Sequence, residues 1–177
     1  MDITDFWKLI ADARARVSDP ADAESIAERA SALLAARPVD EIVVAQQLFW
    51  DLMAASYQAP LWAAAYTVNG GCSDDGFEYF RGWLIAQGRE VFERVVADPD
   101  VLAELPVIRA AASEGWEMEC ERMLGIAWEA HRAVTGEDLP TGSFTIDYPP
   151  LDPAWAFSFD DAERVALRLP KLDALYV

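Results

Sequence analysis

Apolar side chains recur at helical spacing along most of the chain, so the pattern predicts a succession of α-helices. The first helix is predicted over residues 4–17, with Thr4 as its N-cap residue. Asp19 followed by Pro20 is typical of a helix start, because proline fits the first helical position after a capping side chain. This second helix is expected to extend to about Arg37.

Pro38 opens a third helix, whose apolar stripe is broad enough to be buried and which ends or bends at Pro60. A short apolar segment, residues 61–68, leads into an Asn-Gly-Gly turn. The uncharged stretch 52–73 has the length of a membrane span, but polar residues, a proline and two glycines interrupt it. The pattern therefore favours a turn inside a core, and no membrane association is expected.

Two further helices follow the Asn-Gly-Gly turn. One is predicted over residues 74–87, with Ser73 as its N-cap residue and acidic side chains in its first turn, where the helix dipole favours them. It is expected to bend near Gly88 and continue to Ala97. After a short helical piece, a long helix is predicted over residues 113–134, because apolar residues recur through it at helical spacing.

Helical periodicity is lost beyond Gly136, where prolines punctuate residues 137–159. Apolar residues still occupy alternate positions there, so the segment is expected to wrap over the helices or to form a small pair of strands. A last helix is predicted over residues 160–169. The predicted fold is therefore mainly α: a single helical domain with an irregular C-terminal segment rich in proline and aromatic residues.

Composition and length agree with one domain. The chain has 177 residues, of which 53% are hydrophobic, enough for a packed core. No repeat, low-complexity tract or flexible linker divides it. We assign residues 1–138 to the helical part and residues 139–177 to a C-terminal wrap and short helix of the same domain.

The charge is strongly negative, since 31 Asp and Glu residues against 14 Lys and Arg residues give a formal net charge of −17. Such a surface repels phosphate backbones, so no nucleic-acid partner is expected. It suits a basic protein partner, or it serves only to keep the domain in solution. The N-terminus does not resemble a secretory signal, and Cys72 and Cys120 lie far apart, which predicts a reduced cytoplasmic protein without a disulfide.

The middle of the chain carries a long and specific run of residues. It comprises Leu61–Tyr66, Gly70–Asp75, Phe77–Ile85 and Gly88, and the flanking matches are Asp5–Ile10, Phe92, Asp98-Pro99 and Thr135-Gly136. Together these residues resemble the bacterial domain-of-unknown-function family 4240 over roughly residues 1–138. The resemblance implies a family membership but no activity, cofactor or catalytic residue that could be transferred to this chain.

Arg81 is the residue that fits its surroundings least, because it falls on the apolar face of the 74–87 helix with Phe77 and Phe80. A guanidinium there keeps its proton, so it must be paired, solvated or occupied by an anion. The candidate partners are Asp74, Glu78, Glu117 and Glu121. Two interpretations stay open. One is a buried ion pair between helices, and the other is a pocket for an anion or small molecule lined by Arg81, Trp62 and Tyr66.

The remaining chemistry-bearing residues favour structural roles. His131 lies in the apolar stripe of the predicted 113–134 helix, where a core histidine is favoured over a catalytic one. Cys120 is too distant along a straight helix to form a dyad with His131, and a dyad with Cys72 is disfavoured. Carboxylates four residues apart resemble metal-ligand spacing, but the Glu-x-x-His pattern of di-iron bundles is absent, so no metal or cofactor is predicted.

We therefore expect a non-catalytic protein-interaction or regulatory domain with an acidic surface, of which an inhibitor of a basic partner is one form. The alternative is a small-molecule-binding protein or enzyme with a pocket at Arg81. A packed Arg81 in contact with a carboxylate favours the first expectation. A solvent-connected pocket at Arg81 favours the second.

Overall fold

The chain folds into a mainly α, single domain in the computed structural model, which describes residues 1–176. This part of the chain contains no β-strand, and none of its helices is both long and apolar enough to cross a membrane. Short 3-10 helices cover Pro99–Glu104, Glu121–Gly125 and Pro153–Trp155. In chain order the α-helices are α1 (Ile3–Arg14), α2 (Ala23–Leu34), α3 (Val39–Ala55), α4 (Ala59–Asn69), α5 (Asp74–Ala86), α6 (Arg89–Ala97), α7 (Pro106–Glu114), α8 (Ile126–Thr135), α9 (Ala162–Arg168) and α10 (Pro170–Tyr176).

Aspartate side chains begin the first two helices. Asp2 caps α1 by accepting a hydrogen bond from the backbone N–H of Asp5, whose own carboxylate accepts from the N–H of Asp2. The prediction of Thr4 as the cap was wrong, because this reciprocal pair starts the helix earlier. Asp22 caps α2, so that helix begins further along the chain than the Asp19-Pro20 signal predicted.

The turn between α4 and α5 follows its sequence signals. Gly70 ends α4 in the left-handed conformation, at φ 64°, and the backbone of Gly71 is also at positive φ. Ser73 then caps α5 by accepting a hydrogen bond from the N–H of Gly76, as predicted. The apolar segment before the turn forms a full helix, α4, that is longer than the short piece expected.

The long helix predicted over residues 113–134 does not exist. α7 ends at Glu114, and Gly115 adopts a left-handed conformation, at φ 74°, that turns the chain away from the helix axis. The N–H of Cys120 donates instead to the carbonyl of Tyr79 on α5, and helical structure resumes as a 3-10 turn before α8. The helical spacing of apolar residues across this break is coincidental, because two separate elements turn those residues towards one core.

The C-terminal segment wraps over the helices, which confirms one of the two predicted alternatives. The amide of Gln47 on α3 exchanges hydrogen bonds with the backbone of Thr145, and Phe144 stacks on Trp50. The last helix, α10, was not predicted as a separate element. The carboxylate of Asp100 accepts hydrogen bonds from the first free N–H groups of α10 and so attaches it to the 99–104 helix.

Candidate functional site

Arg81 is the most enclosed charged residue described in the chain, with 1% of its surface exposed. Its Nε donates to the carbonyl of Phe77, 3.1 Å away, and its Nη1 donates to the carbonyl of Met53, 2.6 Å away. Its Nη2 donates to the hydroxyl of Tyr148 at 3.4 Å. Met53 lies in the last turn of α3, where free carbonyls carry partial negative charge that favours a cation.

Three aromatic rings surround the same guanidinium. Its central carbon lies 4.6 Å from the ring centre of Phe77, 4.9 Å from that of Tyr148 and 5.2 Å from that of Tyr57. Ring faces attract cations, and this attraction grows where water is excluded. We call this arrangement the Arg81 cage. It confirms the predicted burial of Arg81 and explains how a charge is held there.

The predicted direct hydrogen bond between Arg81 and a carboxylate was wrong. Within residues 1–176 none of the four candidate carboxylates forms an ion pair with Arg81. Glu78 is linked indirectly, because the hydroxyl of Tyr148 donates to its Oε1 at 3.0 Å. Burial raises the pKa of Tyr148, so this hydroxyl keeps the proton that it donates.

The other three candidates lie away from Arg81. Asp74 is exposed in the first turn of α5. Glu121 is exposed, and its negative charge raises the pKa of Tyr79. Glu117 lies in the extended segment after Gly115, on a different surface. The helix winding placed the buried guanidinium beside Phe77 but did not identify Met53 or Tyr148, since these lie on α3 and on the C-terminal segment.

Trp62 and Tyr66 line a cavity of about 320 Å³, but Arg81 does not. The opposite wall is formed by the C-terminal segment, including Trp155 and Phe159. Trp62 stacks on Phe77 with ring centres 4.8 Å apart, so these rings stand between the cavity and the guanidinium. We call this space the aromatic cavity. The sequence interpretation grouped its residues correctly with one another and wrongly with Arg81.

The thiols and the histidine are poorly arranged for nucleophilic chemistry. Burial raises the pKa of both Cys72 and Cys120 to about 12, and nearby Glu119 and Glu24 add to the two shifts. Both cysteines are free. His131 is 4% exposed, and its Nδ1 lies 2.9 Å from the carbonyl of Glu137, which can only accept a hydrogen bond. Nδ1 therefore carries a proton, and His131 is a core histidine that binds the chain just after α8.

A third feature is a groove of about 260 Å³ at the start of α2 and along the extended segment after Gly115. Trp83, which is 2% exposed, contributes to its lining, and Trp116 stands beside it with 50% of its surface exposed. Among the residues that the structure describes, no Lys or Arg lines it. Its carboxylates are those of Asp19, Asp22, Glu24, Glu117 and Glu119. We call it the acidic groove.

Negative charge in the acidic groove is not neutralised by any ion pair in the described part of the chain. None of its five carboxylates forms an ion pair with a basic residue among residues 1–176. Partial burial and the neighbouring Glu117 raise the pKa of Glu119. Asp22 differs, since hydrogen bonds from Ser25 lower the pKa of its carboxyl group. The groove therefore concentrates negative charge in a partly desolvated place.

Gly82 brings the wall of the acidic groove onto α5. A Cβ atom at this position would lie 2.7 Å from the carbonyl oxygen of Cys120 and 2.9 Å from Cδ1 of Leu124, closer than packed atoms approach. The sequence interpretation missed Asp19, Asp22, Glu24, Trp116 and Glu119 as site residues. Gly115 was the available signal, because a glycine inside a predicted helix can end it.

No cluster of three or more His, Cys, Asp or Glu side chains among the described residues is arranged to hold a metal ion. The fold and these surfaces define a class: a mainly α domain with an enclosed arginine and an open acidic groove. Residues 1–133 match the model of DUF4240, a family described as a protein of unknown function, and the chain belongs to that family. Comparisons with curated proteins and with solved structures found no match.

Proposed function

We propose that this protein is a non-catalytic interaction or regulatory domain that binds a basic segment of a partner protein in its acidic groove. The observation that supports the proposal most is the exposed indole of Trp116 beside five carboxylates that form no ion pair within the described part of the chain. The same chemistry would allow the domain to inhibit a basic partner by covering the positive surface that the partner uses.

A lysine or arginine side chain matches the groove in both charge and shape. Its cationic end can lie on the face of the indole, an interaction of roughly 0.5–1 kcal/mol at an exposed site. Carboxylates that line the groove together with Trp116, such as those of Glu117 and Asp19, can accept its hydrogen bonds. The net charge of −17 would also attract a basic partner over a distance set by the salt concentration.

The other groups support a binding role over catalysis. The thiols of Cys72 and Cys120 hold their protons, and Nδ1 of His131 is occupied by a backbone carbonyl. The proposal also puts the protein in the cytoplasm, where two free thiols remain reduced. Because Arg81 is enclosed, the alternative function of small-molecule binding is better supported at the aromatic cavity.

The test is binding of a fluorescent peptide of alternating lysine, arginine and glycine, measured by anisotropy at several salt concentrations. The double variant Glu117→Gln/Glu119→Gln and the variant Trp116→Ala should each weaken binding by about five- to ten-fold, because each loss corresponds to roughly 1 kcal/mol. The matched control is Glu90→Gln/Glu163→Gln, which removes the same charge from exposed positions outside the groove.

The control decides between a specific groove and a generally acidic surface. If the control variant weakens binding as much as the groove variant does, attraction is diffuse and the proposal fails. The negative charge would then be explained by its effect on solubility alone. Urea unfolding of each variant would establish that a lost affinity is not a lost fold.

A further inference from the structure

We propose that the aromatic cavity binds a small organic ammonium compound, with an apolar body between the rings and one positive charge directed at Asp152. This site is separate from the acidic groove and does not depend on the function proposed for it. The two share no lining residue.

The size and walls of the cavity determine the body of the ligand. A volume of about 320 Å³ lies at the lower end of the range for small-molecule sites. The rings of Trp62 and Tyr66 on α4 and of Trp155 and Phe159 on the C-terminal segment line it from two sides. Aromatic walls of this kind favour a flat apolar group of about the size of one ring.

Asp152 determines the sign of the charge, because among residues 1–176 it is the only charged side chain that lines the cavity. Its Oδ1 accepts a hydrogen bond from the backbone N–H of Ala154, 2.9 Å away, which fixes the carboxylate at the start of a 3-10 helix. Within residues 1–176 its Oδ2 accepts no hydrogen bond. A carboxylate with a free oxygen beside aromatic faces suits an ammonium group and opposes an anion.

Two arginines adjoin the walls and would oppose a cation weakly. Arg81 is enclosed behind Phe77 and is held by backbone carbonyls. Arg168 is exposed to water, stacks on Trp155 and donates to the carbonyl of Ala154. Both guanidinium groups therefore have partners in their own chain. A matched series of ligands that differ only in charge measures the balance between these arginines and Asp152.

The cavity is formed in advance by hydrogen bonds between its walls and their neighbours. Nε1 of Trp62 donates to the carbonyl of Cys72 at 3.0 Å, and the hydroxyl of Tyr66 donates to Asp160 of the C-terminal segment. Pre-formed walls lower the cost of ordering on binding. The Cys72 thiol keeps its proton, since burial raises its pKa to about 12, so binding is non-covalent.

The experiment compares three probes that share one ring: phenethylamine (positive), 2-phenylethanol (neutral) and phenylacetate (negative). Each is titrated into the intact protein labelled with ¹⁵N, and the indole N–H signals are followed. Phenethylamine should bind about five-fold more tightly than the alcohol, and phenylacetate should bind most weakly. Asp152→Asn should abolish the preference for the amine over the alcohol, whereas Asp147→Asn, an exposed control on the same segment, should retain it.

A second pair of variants tests the place of binding. Ala156 lines the cavity and Ala154 does not, so Ala156→Phe should abolish binding of the amine while Ala154→Phe preserves it. Equal affinity for amine and alcohol would overturn the proposal, as would binding that survives Ala156→Phe or the absence of binding by any probe. Trp116→Ala, which should weaken binding in the acidic groove, should leave phenethylamine binding unchanged, and this separates the result from the test of the acidic groove.

Discussion

The Arg81 cage and the acidic groove both combine aromatic rings with oxygen atoms that attract cations, but only in the cage does the chain supply the cation among the described residues. In the cage, three aromatic rings and two backbone carbonyls surround a cation that the chain itself supplies. In the groove, an exposed indole and five carboxylates lie together, and no basic side chain among residues 1–176 pairs with them. Aromatic rings and oxygen acceptors thus stabilise the fold where the cation is internal, and under our proposal the rings and carboxylates of the groove would bind a cation from a partner.

Helix α5 connects the two regions through adjacent residues. Arg81 points into the cage, and Gly82 lets the backbone at Cys120 approach the next face of the same helix. Both residues lie within residues 1–133, which match the family model, and both serve the packing of α5. The cage holds α5 against α3 and the C-terminal segment, and the glycine holds the groove wall against α5.

Removing the internal cation should produce the largest effect. Arg81→Ala deletes three hydrogen bonds from a charged donor and leaves a space among three rings, so the free energy of unfolding should fall by about 3–4 kcal/mol. Urea denaturation followed by circular dichroism measures the change. Arg81→Lys should recover only part of it, because an ammonium cannot reproduce the planar fork of donors.

One result would contradict the contrast between the Arg81 cage and the acidic groove. If Arg81→Ala unfolds at nearly the wild-type urea concentration, the cage is not a stabilising element and the contrast with the groove loses its basis. The groove variants Glu117→Gln and Trp116→Ala are the comparison, because they change exposed side chains. Their side chains have few internal partners, so their stability should lie within about 0.5 kcal/mol of wild type.

A smaller effect is expected at Tyr148, where the C-terminal segment closes the cage. Tyr148→Phe keeps the ring over the guanidinium but removes the hydroxyl that joins Arg81 to Glu78. The loss should be about 1–2 kcal/mol, because one side of a hydrogen-bonded link to two charged groups disappears. In the Glu78→Gln background the same substitution should cost less, and a double-mutant cycle with no coupling would contradict the link.

The sequence predicted those parts of the fold in which local signals and tertiary packing agree. The turn at Gly70 and the cap at Ser73 were correct, because each depends on one residue's backbone or side-chain chemistry. The long helix over residues 113–134 was wrong. Apolar spacing alone cannot distinguish one helix from two elements separated by a left-handed glycine, and Gly115 decided the outcome.

The candidate site was predictable only along a single helix. Helical spacing placed Arg81 inward, and the structure agrees. It could not identify Tyr57 or Tyr148, because these residues come from elements whose position depends on tertiary packing. The acidic groove was missed for the same reason, since Asp19 and Glu119 are far apart in the chain and only the break at Gly115 brings them to one surface.

The smallest predicted effect concerns the pH dependence of the open region. The pKa of Glu119 is raised in the folded protein, so the folded state holds this proton more tightly than the unfolded state does. The contribution of Glu119 to stability therefore becomes less favourable as the pH rises through the interval between the ordinary carboxyl pKa and the raised one. Asp22 has the opposite sign: its pKa is lowered, so its contribution is present above the ordinary value and is lost as the pH falls.

Glu119→Gln should therefore be slightly more stable than wild type at pH 7, by less than about 0.5 kcal/mol because solvent screens a partly exposed group. The gain should shrink as the pH falls towards 4, where Glu119 in the wild type is protonated. Asp22→Asn should instead be the less stable variant at pH 7, and its deficit should persist down to the ordinary Asp pKa of 3.8 and shrink only below it. Urea unfolding at a series of pH values gives both difference curves. If both variants differed from wild type in the same direction at pH 7, the groove would not hold unneutralised negative charge. A basic partner would then gain no stabilisation by neutralising that charge.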